Sequence, residues 1–148
     1  MAGIIEIKDK QEGVLTLELY HLLTLIGNKA ANLVWSILDL EAVADPEKFK
    51  TDLLELERVA RESPNGLTLR WDELVVLAQA LKDVWNILLA AAKIAESIPR
   101  LEYLAEDVGP CEIVIECLDS DFWRVYARDD EIIRRLEQSF RDVTVKQL

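Results

Sequence analysis

Apolar residues fill most of the segment from Trp71 to Ser97, which contains neither Gly nor Pro and is rich in Leu and Ala. On a helix, its polar residues would lie along one narrow stripe, formed by Asp72, Gln79, Asn86 and Lys93 with Asp83 beside them. The pattern predicts one uninterrupted helix of about seven turns. A helix that is apolar around most of its circumference belongs inside a domain or between subunits.

A second segment, from Thr16 to Val43, has the same helical period and a similar polar stripe, formed by Glu18, His21, Asn28, Asn32, Ser36 and Asp39. We therefore predict a second long helix, which either bends at Gly27 or is approached there by another backbone. Asp45-Pro46 is typical of a helix start and predicts a third helix that ends near Glu62. Its inner face would comprise Phe49, Leu53, Leu56 and Ala60.

After Pro110 the period changes from that of a helix to that of a strand. Residues 111–118 and 122–128 flank the turn cluster Asp119-Ser120-Asp121, which predicts a β-hairpin. If Leu118 pairs with Phe122, apolar residues of the two strands face each other on one side of the hairpin and opposite charges face each other on the other. A shift of the register by one residue would instead pair apolar residues with charged ones. The predicted pairs are Cys117 with Trp123, Ile115 with Val125, Ile113 with Ala127, Glu116 with Arg124, and Glu112 with Arg128.

The remaining elements are short. A final helix is predicted after Asp129, with Ile132, Ile133, Leu136 and Phe140 on its inner side. Short strands are predicted over 143–146 and, at a sheet edge, over 4–7. The predicted fold is a single α+β domain over residues 1–148 that is predominantly helical. Long antiparallel helices would occupy about residues 14–98, and a small antiparallel hairpin or sheet layer, with the C-terminal helix packed on it, residues 111–148.

The net charge of -11 and the pI of about 4.6 limit the possible partners. A phosphate backbone or an anionic membrane would repel the chain at long range, so neither is a predicted partner and a basic protein is favoured. The first residues have no signal-peptide pattern, and charge-free stretches fall short of the roughly 20 apolar residues that a membrane span needs. We therefore predict a cytoplasmic protein.

The sequence contains few candidates for chemistry. Glu18 and His21 lie one helical turn apart and could share a metal, but the carboxylate-bridged sites of helix bundles use this pair twice and the chain has one histidine. Cys111 and Cys117 are predicted to be reduced and buried, without a base that could activate them. No catalytic residue, metal or cofactor is predicted, and enzymatic activity is not indicated.

Polar residues on a mostly apolar helix must find partners if they are buried, which makes four of them candidates for a ligand pocket: Gln79, Asp83, Asn86 and His21. Two helices with only a narrow polar stripe would also expose more apolar surface than a monomer usually tolerates, and this predicts a homodimer. The candidate interface residues are Leu33, Leu88, Trp35 and Trp85.

Two functions are compatible with these patterns. The first is an acidic protein-binding, regulatory or assembly module, such as an inhibitor or immunity-type factor that covers a basic surface of its partner. The carboxylates between Asp39 and Glu62, together with Glu102, Glu106 and Asp107, would form its negative surface. The second is a small-molecule-binding protein or minor enzyme with a pocket between the long helices. The lack of a catalytic constellation favours the first.

Overall fold

The computed structural model describes residues 2–49 and 52–148, and strands form its largest unit. Along the described chain the elements are β1 (Gly3–Ile7), β2 (Lys10–Gln11), β3 (Val14–Leu15), α1 (Leu19–Ile26), β4 (Val34–Ala44), α2 (Leu53–Glu62), β5 (Leu67–Leu69), α3 (Trp71–Ala80), β6 (Leu81–Ala92), β7 (Ile113–Leu118), β8 (Phe122–Ala127), α4 (Asp130–Ser139) and β9 (Val143–Gln147). Short 3-10 helices follow α1 over Gly27–Ala30 and β6 over Ala95–Ser97.

Seven strands form one sheet in the order β5-β4-β6-β7-β8-β1-β9, and every neighbouring pair is antiparallel. The strands β2 and β3 form a separate two-stranded hairpin. The prediction of a predominantly helical fold built from long helices is therefore wrong. No helix among the described residues is long and apolar enough to cross a bilayer.

The predicted helix over Trp71–Ser97 is helical only as far as Ala80, and the chain then continues as β6. In β6, Ile87, Leu89 and Ala91 belong to one core, whereas Leu88, Ala90 and Ala92 belong to another on the opposite face of the sheet. A strand that is buried on both faces is apolar at every position, so it has no alternation by which to distinguish it from a buried helix.

The predicted helix over Thr16–Val43 fails for the same reason. Only α1 and the following 3-10 turn are helical, and residues 34–44 form β4, which lies between β5 and β6 in the sheet. Gly27 ends α1 with φ of 60° and ψ of -148°, a conformation that is open essentially to glycine alone. The third predicted helix starts later than Pro46: α2 begins at Leu53, capped by Asp52, whose side chain accepts the Leu54 N–H at 3.0 Å. Residues 50 and 51 lie outside the described part.

Two cores lie on opposite faces of the sheet. In the helix-side core, α1, α3 and α4 pack on residues such as Ile5, Trp35, Ile115 and Val125. In the loop-side core, the irregular segment 98–111 covers the other face, with Ile98, Leu101, Val108 and Cys111 packed on Leu88, Val114 and Tyr126. The layers are therefore helices, sheet and irregular chain.

The C-terminal predictions are confirmed. The hairpin β7–β8 has the predicted register from Leu118 with Phe122 to Ile113 with Ala127. The predicted pair Glu112 and Arg128 is joined by a backbone hydrogen bond of 2.9 Å and an ion pair of 3.5 Å. The final helix and the strand near 143–147 are also present. The predicted strand at 4–7 exists as β1, but it lies between β8 and β9 and not at an edge.

Candidate functional site

The first half of β6 and the end of β4 extend beyond the other strands of the sheet as a pair. Strand β7 pairs only with residues 87–91 of β6, whereas β4 follows β6 as far as Leu81. Two register shifts leave Trp85 and Lys82 of β6 without a partner residue on β4. Such bulges bend a strand and redirect its side chains. Residues 41–44 and 81–86 therefore form a two-stranded extension, which we call the ribbon.

The turn between β7 and β8 holds the ribbon in place. Asp119 and Ser120 have φ of 51° and 55°, and the Asp121 N–H closes the turn on the Leu118 carbonyl at 2.9 Å. The Ser120 N–H donates to the Trp85 carbonyl at 2.9 Å, and its hydroxyl donates to the Val84 carbonyl at 2.7 Å. These bonds fix the backbone at Trp85, whose side chain remains 43% exposed.

The hairpin β2–β3 lies across from the ribbon. Its turn residues Glu12 and Gly13 both have positive φ, of 54° and 79°, as tight two-residue hairpins require. An ion pair between Lys10 and Asp121 joins the hairpin to the β7–β8 turn. Val14 on this hairpin is 65% exposed.

A cleft of about 510 Å³ lies between the ribbon and the hairpin, and we call it the ribbon cleft. Its apolar lining includes the buried residues Leu17, Leu19, Ala78, Leu81, Cys117 and Trp123. The exposed side chains of Val14 and Trp85 also line it, as do the charged residues Glu18, Lys82 and Asp83. The cleft thus combines an apolar interior with an exposed indole and two carboxylates.

The chemistry of the ribbon cleft is suited to binding. Burial raises the pKa of the Cys117 thiol to about 12, so this side chain is a neutral apolar group at physiological pH and not a nucleophile. The remaining lining offers an indole face and carboxylates, which attract cations and hold apolar stems. Within residues 2–49 and 52–148, no group of three or more His, Cys, Asp and Glu side chains could hold a metal ion.

The four predicted ligand residues do not surround one pocket. Asp83 lines the ribbon cleft, and Gln79 lies exposed on α3 in a neighbouring depression. The Asn86 Oδ1 accepts the Asp119 N–H at 2.9 Å, so this side chain supports the β7–β8 turn. His21 is exposed near the start of α1, where its Nδ1 accepts the Glu18 N–H at 3.4 Å. The structure therefore places one of the four, Asp83, in the cleft.

The four predicted interface residues are also separated. Trp35 is fully buried in the helix-side core, where its ring lies 5.8 Å from that of Trp71 and its Nε1 donates to the Ala30 carbonyl at 3.2 Å. Leu88 is buried in the loop-side core, and Leu33 is half-buried. Trp85 is the one of the four with an exposed side chain.

Two parts of the cleft are only weakly indicated by local sequence patterns. Residues 8–13 form a polar segment after β1, in which Glu12-Gly13 between short apolar and polar runs is only a weak hairpin signal. Ser120 belongs to a predicted turn, but nothing local indicates that it bonds to β6. No protein-family model, curated protein or solved structure matches the chain.

Proposed function

We propose that this protein is a non-enzymatic binding module whose ribbon cleft engages a basic surface of a partner protein. The observation that carries the proposal is that the exposed indole of Trp85 lines one cleft together with the carboxylates of Asp83 and Glu18. Exposed tryptophans in concave surroundings are frequent binding hot spots, and an indole face attracts Lys and Arg side chains.

The charge around the cleft supports a cationic partner. Glu18 and Asp83 outnumber Lys82 in the lining, and the exposed residues Glu12 and Asp119 flank it on the two turns. Within the described residues, the ion pairs do not include Glu18 or Asp83. These carboxylates can therefore attract a partner without first breaking an internal pair.

The negative surface predicted between Asp39 and Glu62 supports the proposal less well. Asp39 accepts hydrogen bonds from Arg61 at 2.7 Å and from Tyr103 at 2.6 Å. Burial and the contact with Asp39 raise the pKa of Tyr103 well above its usual value, so the phenol keeps the proton that it donates. Two further carboxylates of this surface, Glu55 and Glu62, are paired with Arg58. Much of this charge is balanced within the chain.

Rigidity of the site also favours binding. The bonds from Ser120 to the ribbon and the ion pair at Lys10 join three segments that are distant in sequence. A site that is fixed before the partner arrives loses less conformational entropy on association. The alternative function was a small-molecule site or minor enzyme pocket between two long helices. The structure does not support it, because those long helices are not formed.

The test is capture of a partner from a lysate of the native host, with the wild-type chain and matched variants as baits. We expect Trp85→Ala and Asp83→Asn each to reduce capture of the main bound protein by about tenfold, as at a binding hot spot. High salt should reduce capture by the wild type. Glu137→Gln is the control, because Glu137 is an exposed carboxylate on α4 that does not line the ribbon cleft.

Capture that is insensitive to salt, or that falls equally with Glu137→Gln, would contradict the proposed function. Each variant should first give the same far-ultraviolet circular dichroism spectrum and melting temperature as the wild type, so that a lost partner is not a lost fold.

A further inference from the structure

Two further depressions adjoin the ribbon cleft, one beyond the other. A second depression shares Glu18 with it and is also lined by Tyr20, Lys48, Val76, Gln79 and Ala80. A third shares Val76 with the second and is also lined by Phe49, Leu56, Leu69, Asp72, Glu73 and Leu77. The three depressions therefore adjoin one another, and we call the three together the α3 groove.

The order of the lining residues shows the direction of the groove. Ala78 and Leu81, at the end of α3 and the start of β6, line the ribbon cleft, Gln79 and Ala80 line the second depression, and Asp72, Glu73 and Leu77 line the third. The groove thus follows α3 from its C-terminal end to its N-terminal end. At about 1.5 Å per residue, the ten-residue helix is about 15 Å long.

Exposed apolar side chains occur along the groove. Val14 and Trp85 lie at the ribbon end, and Val76, which is 60% exposed, lies at the junction of the second and third depressions. The third depression of about 370 Å³ is otherwise lined mainly by Phe49, Leu56, Leu69 and Leu77. A partner that used only the ribbon cleft would leave these apolar residues uncovered.

The charges of the groove identify the chemistry of its occupant. Among the described residues, its lining contains four carboxylates, Glu18, Asp72, Glu73 and Asp83, against two lysines, Lys48 and Lys82. Arg70 lies 3.4 Å from Asp72 and 3.5 Å from Glu73. Of the four carboxylates, Glu18 and Asp83 at the ribbon end are the two that form no ion pair within the described residues. A second copy of this chain, with a net charge of -11, would bring like charges together. A segment with basic and apolar side chains would satisfy both the carboxylates and the apolar lining.

We infer that the partner presents an extended segment of basic and apolar residues, which lies along the α3 groove from Trp85 to the depression between α2 and α3. This inference rests on the proposed function and specifies the form of the partner. An extended chain advances about 3.3 Å per residue, so about five residues span α3 and more reach the ribbon. Alternate side chains of such a segment point the same way and can enter successive depressions.

The test uses a synthetic, end-capped peptide of about nine residues that alternates valine and lysine, long enough at about 3.3 Å per residue to span the groove. A peptide that alternates valine and glutamate is its control. Fluorescence anisotropy of the labelled peptides against the full chain gives the Kd. We expect the lysine peptide to bind at least about tenfold more tightly than the glutamate peptide at low salt.

Two substitutions then test where on the chain the lysine peptide binds. Val76→Ser should weaken binding by roughly fivefold, as should Asp83→Asn at the other end of the groove. Ile94→Ser is the control, because Ile94 is 61% exposed and lies outside the three depressions. Equal effects of Val76→Ser and Ile94→Ser would overturn the inference, and so would a lysine peptide that binds no better than the glutamate peptide.

Failure of the inference can be separated from failure of the proposed function. In one outcome, Asp83→Asn weakens both partner capture and peptide binding, whereas Val76→Ser affects neither. The partner then uses the ribbon cleft alone. This result refutes the extended segment and leaves the proposed function standing. If the peptide depends on both positions but capture from lysate does not depend on Trp85, the groove binds such segments and the proposed function is refuted.

Discussion

Glu116 and Arg124 form an ion pair in the loop-side layer, and their side chains are only 2% and 9% exposed. The Arg124 Nη1 lies 2.7 Å from one Glu116 oxygen, and the other oxygen accepts the Leu104 N–H at 2.6 Å. Leu104 has φ of 59°, which is uncommon for a residue other than glycine, and this hydrogen bond holds it there. The pair therefore fastens the segment 98–111 to the sheet.

We expect Glu116→Met to lower the free energy of unfolding by about 3–5 kcal/mol, because it leaves the Arg124 charge buried without a partner. The double variant Glu116→Met with Arg124→Met should be more stable than the single variant, since the isolated charge is then removed as well. Both lose the acceptor for Leu104, so their difference reports on the charge. Urea denaturation measures both values, and a double variant no more stable than the single one would contradict the prediction.

At the scale of elements, β4 has a partner strand along only part of its outer edge. Strand β5 covers residues 35–37, and beyond them side chains bond to the β4 backbone. Arg100 donates to the Leu38 carbonyl at 2.6 Å, Arg61 donates to the Leu40 carbonyl at 2.9 Å, and Glu57 accepts the Ala42 N–H at 3.3 Å. These three bonds reach alternate residues, as a neighbouring strand would. They protect an edge that could otherwise pair with another chain.

Asp129 connects α4 to the end of α1. One of its oxygens caps α4 by accepting the Glu131 N–H at 3.0 Å, and the other lies 2.8 Å from the Lys29 ammonium. We expect Asp129→Ala to lower the free energy of unfolding by about 1 kcal/mol through loss of the cap. Asp129→Asn should cost less, because its amide oxygen can still cap the helix. Chemical denaturation of the three proteins at neutral pH checks this order.

The hydrogen bond from Lys29 lowers the pKa of Asp129 in the folded protein. A carboxyl whose pKa is lower in the folded than in the unfolded state stabilises the fold above the unfolded pKa of about 3.9, and this stabilisation is lost as the pH falls through the folded value. The difference in stability between the wild type and Asp129→Asn should therefore be constant near neutrality and shrink below about pH 4. If the difference in stability between the two proteins does not shrink in acid, the ion pair between Asp129 and Lys29 contributes nothing to the stability of the fold.

At the scale of the whole molecule, one chain covers both faces of its sheet. Helices cover one face and the segment 98–111 covers the other. The predicted homodimer was argued from two long helices with uncovered apolar sides, and those helices are not formed. Of the residues expected at its interface, Trp35 and Leu88 are buried within the chain's own cores.

We therefore expect a monomeric mass in solution, because Trp35 and Leu88, which would have required a partner copy to cover them, are already buried within the chain. Light scattering coupled to size-exclusion chromatography over a dilution series measures it. A dimeric mass that persists on dilution would contradict this expectation and support the predicted dimer, and its loss in Trp85→Ala would place the exposed indole at the interface.

The sequence by itself determined the C-terminal third of the fold. The register of β7 with β8 follows from alternation, because a shift by one residue would place Glu116 and Arg124 among apolar side chains on the helix side. The helix α4 follows from its acidic start and its apolar stripe, and the turn at Asp119 from its composition. In these segments the helix-side face is apolar and the opposite face carries charged residues, such as Glu116 and Arg124, so the local pattern carries the structural information.

Only the tertiary structure decided that residues 34–44 and 81–92 are strands, since residues 35–38 and 87–92 within them are buried on both sides and these apolar runs fit either a helix or a strand. It also decided the site. The ribbon cleft is formed by residues as distant in sequence as Val14, Trp85 and Ser120, which no local pattern brings together. Its shape depends on two bulges in the pairing of β4 with β6, and a bulge is a property of two strands, visible only once both are in place.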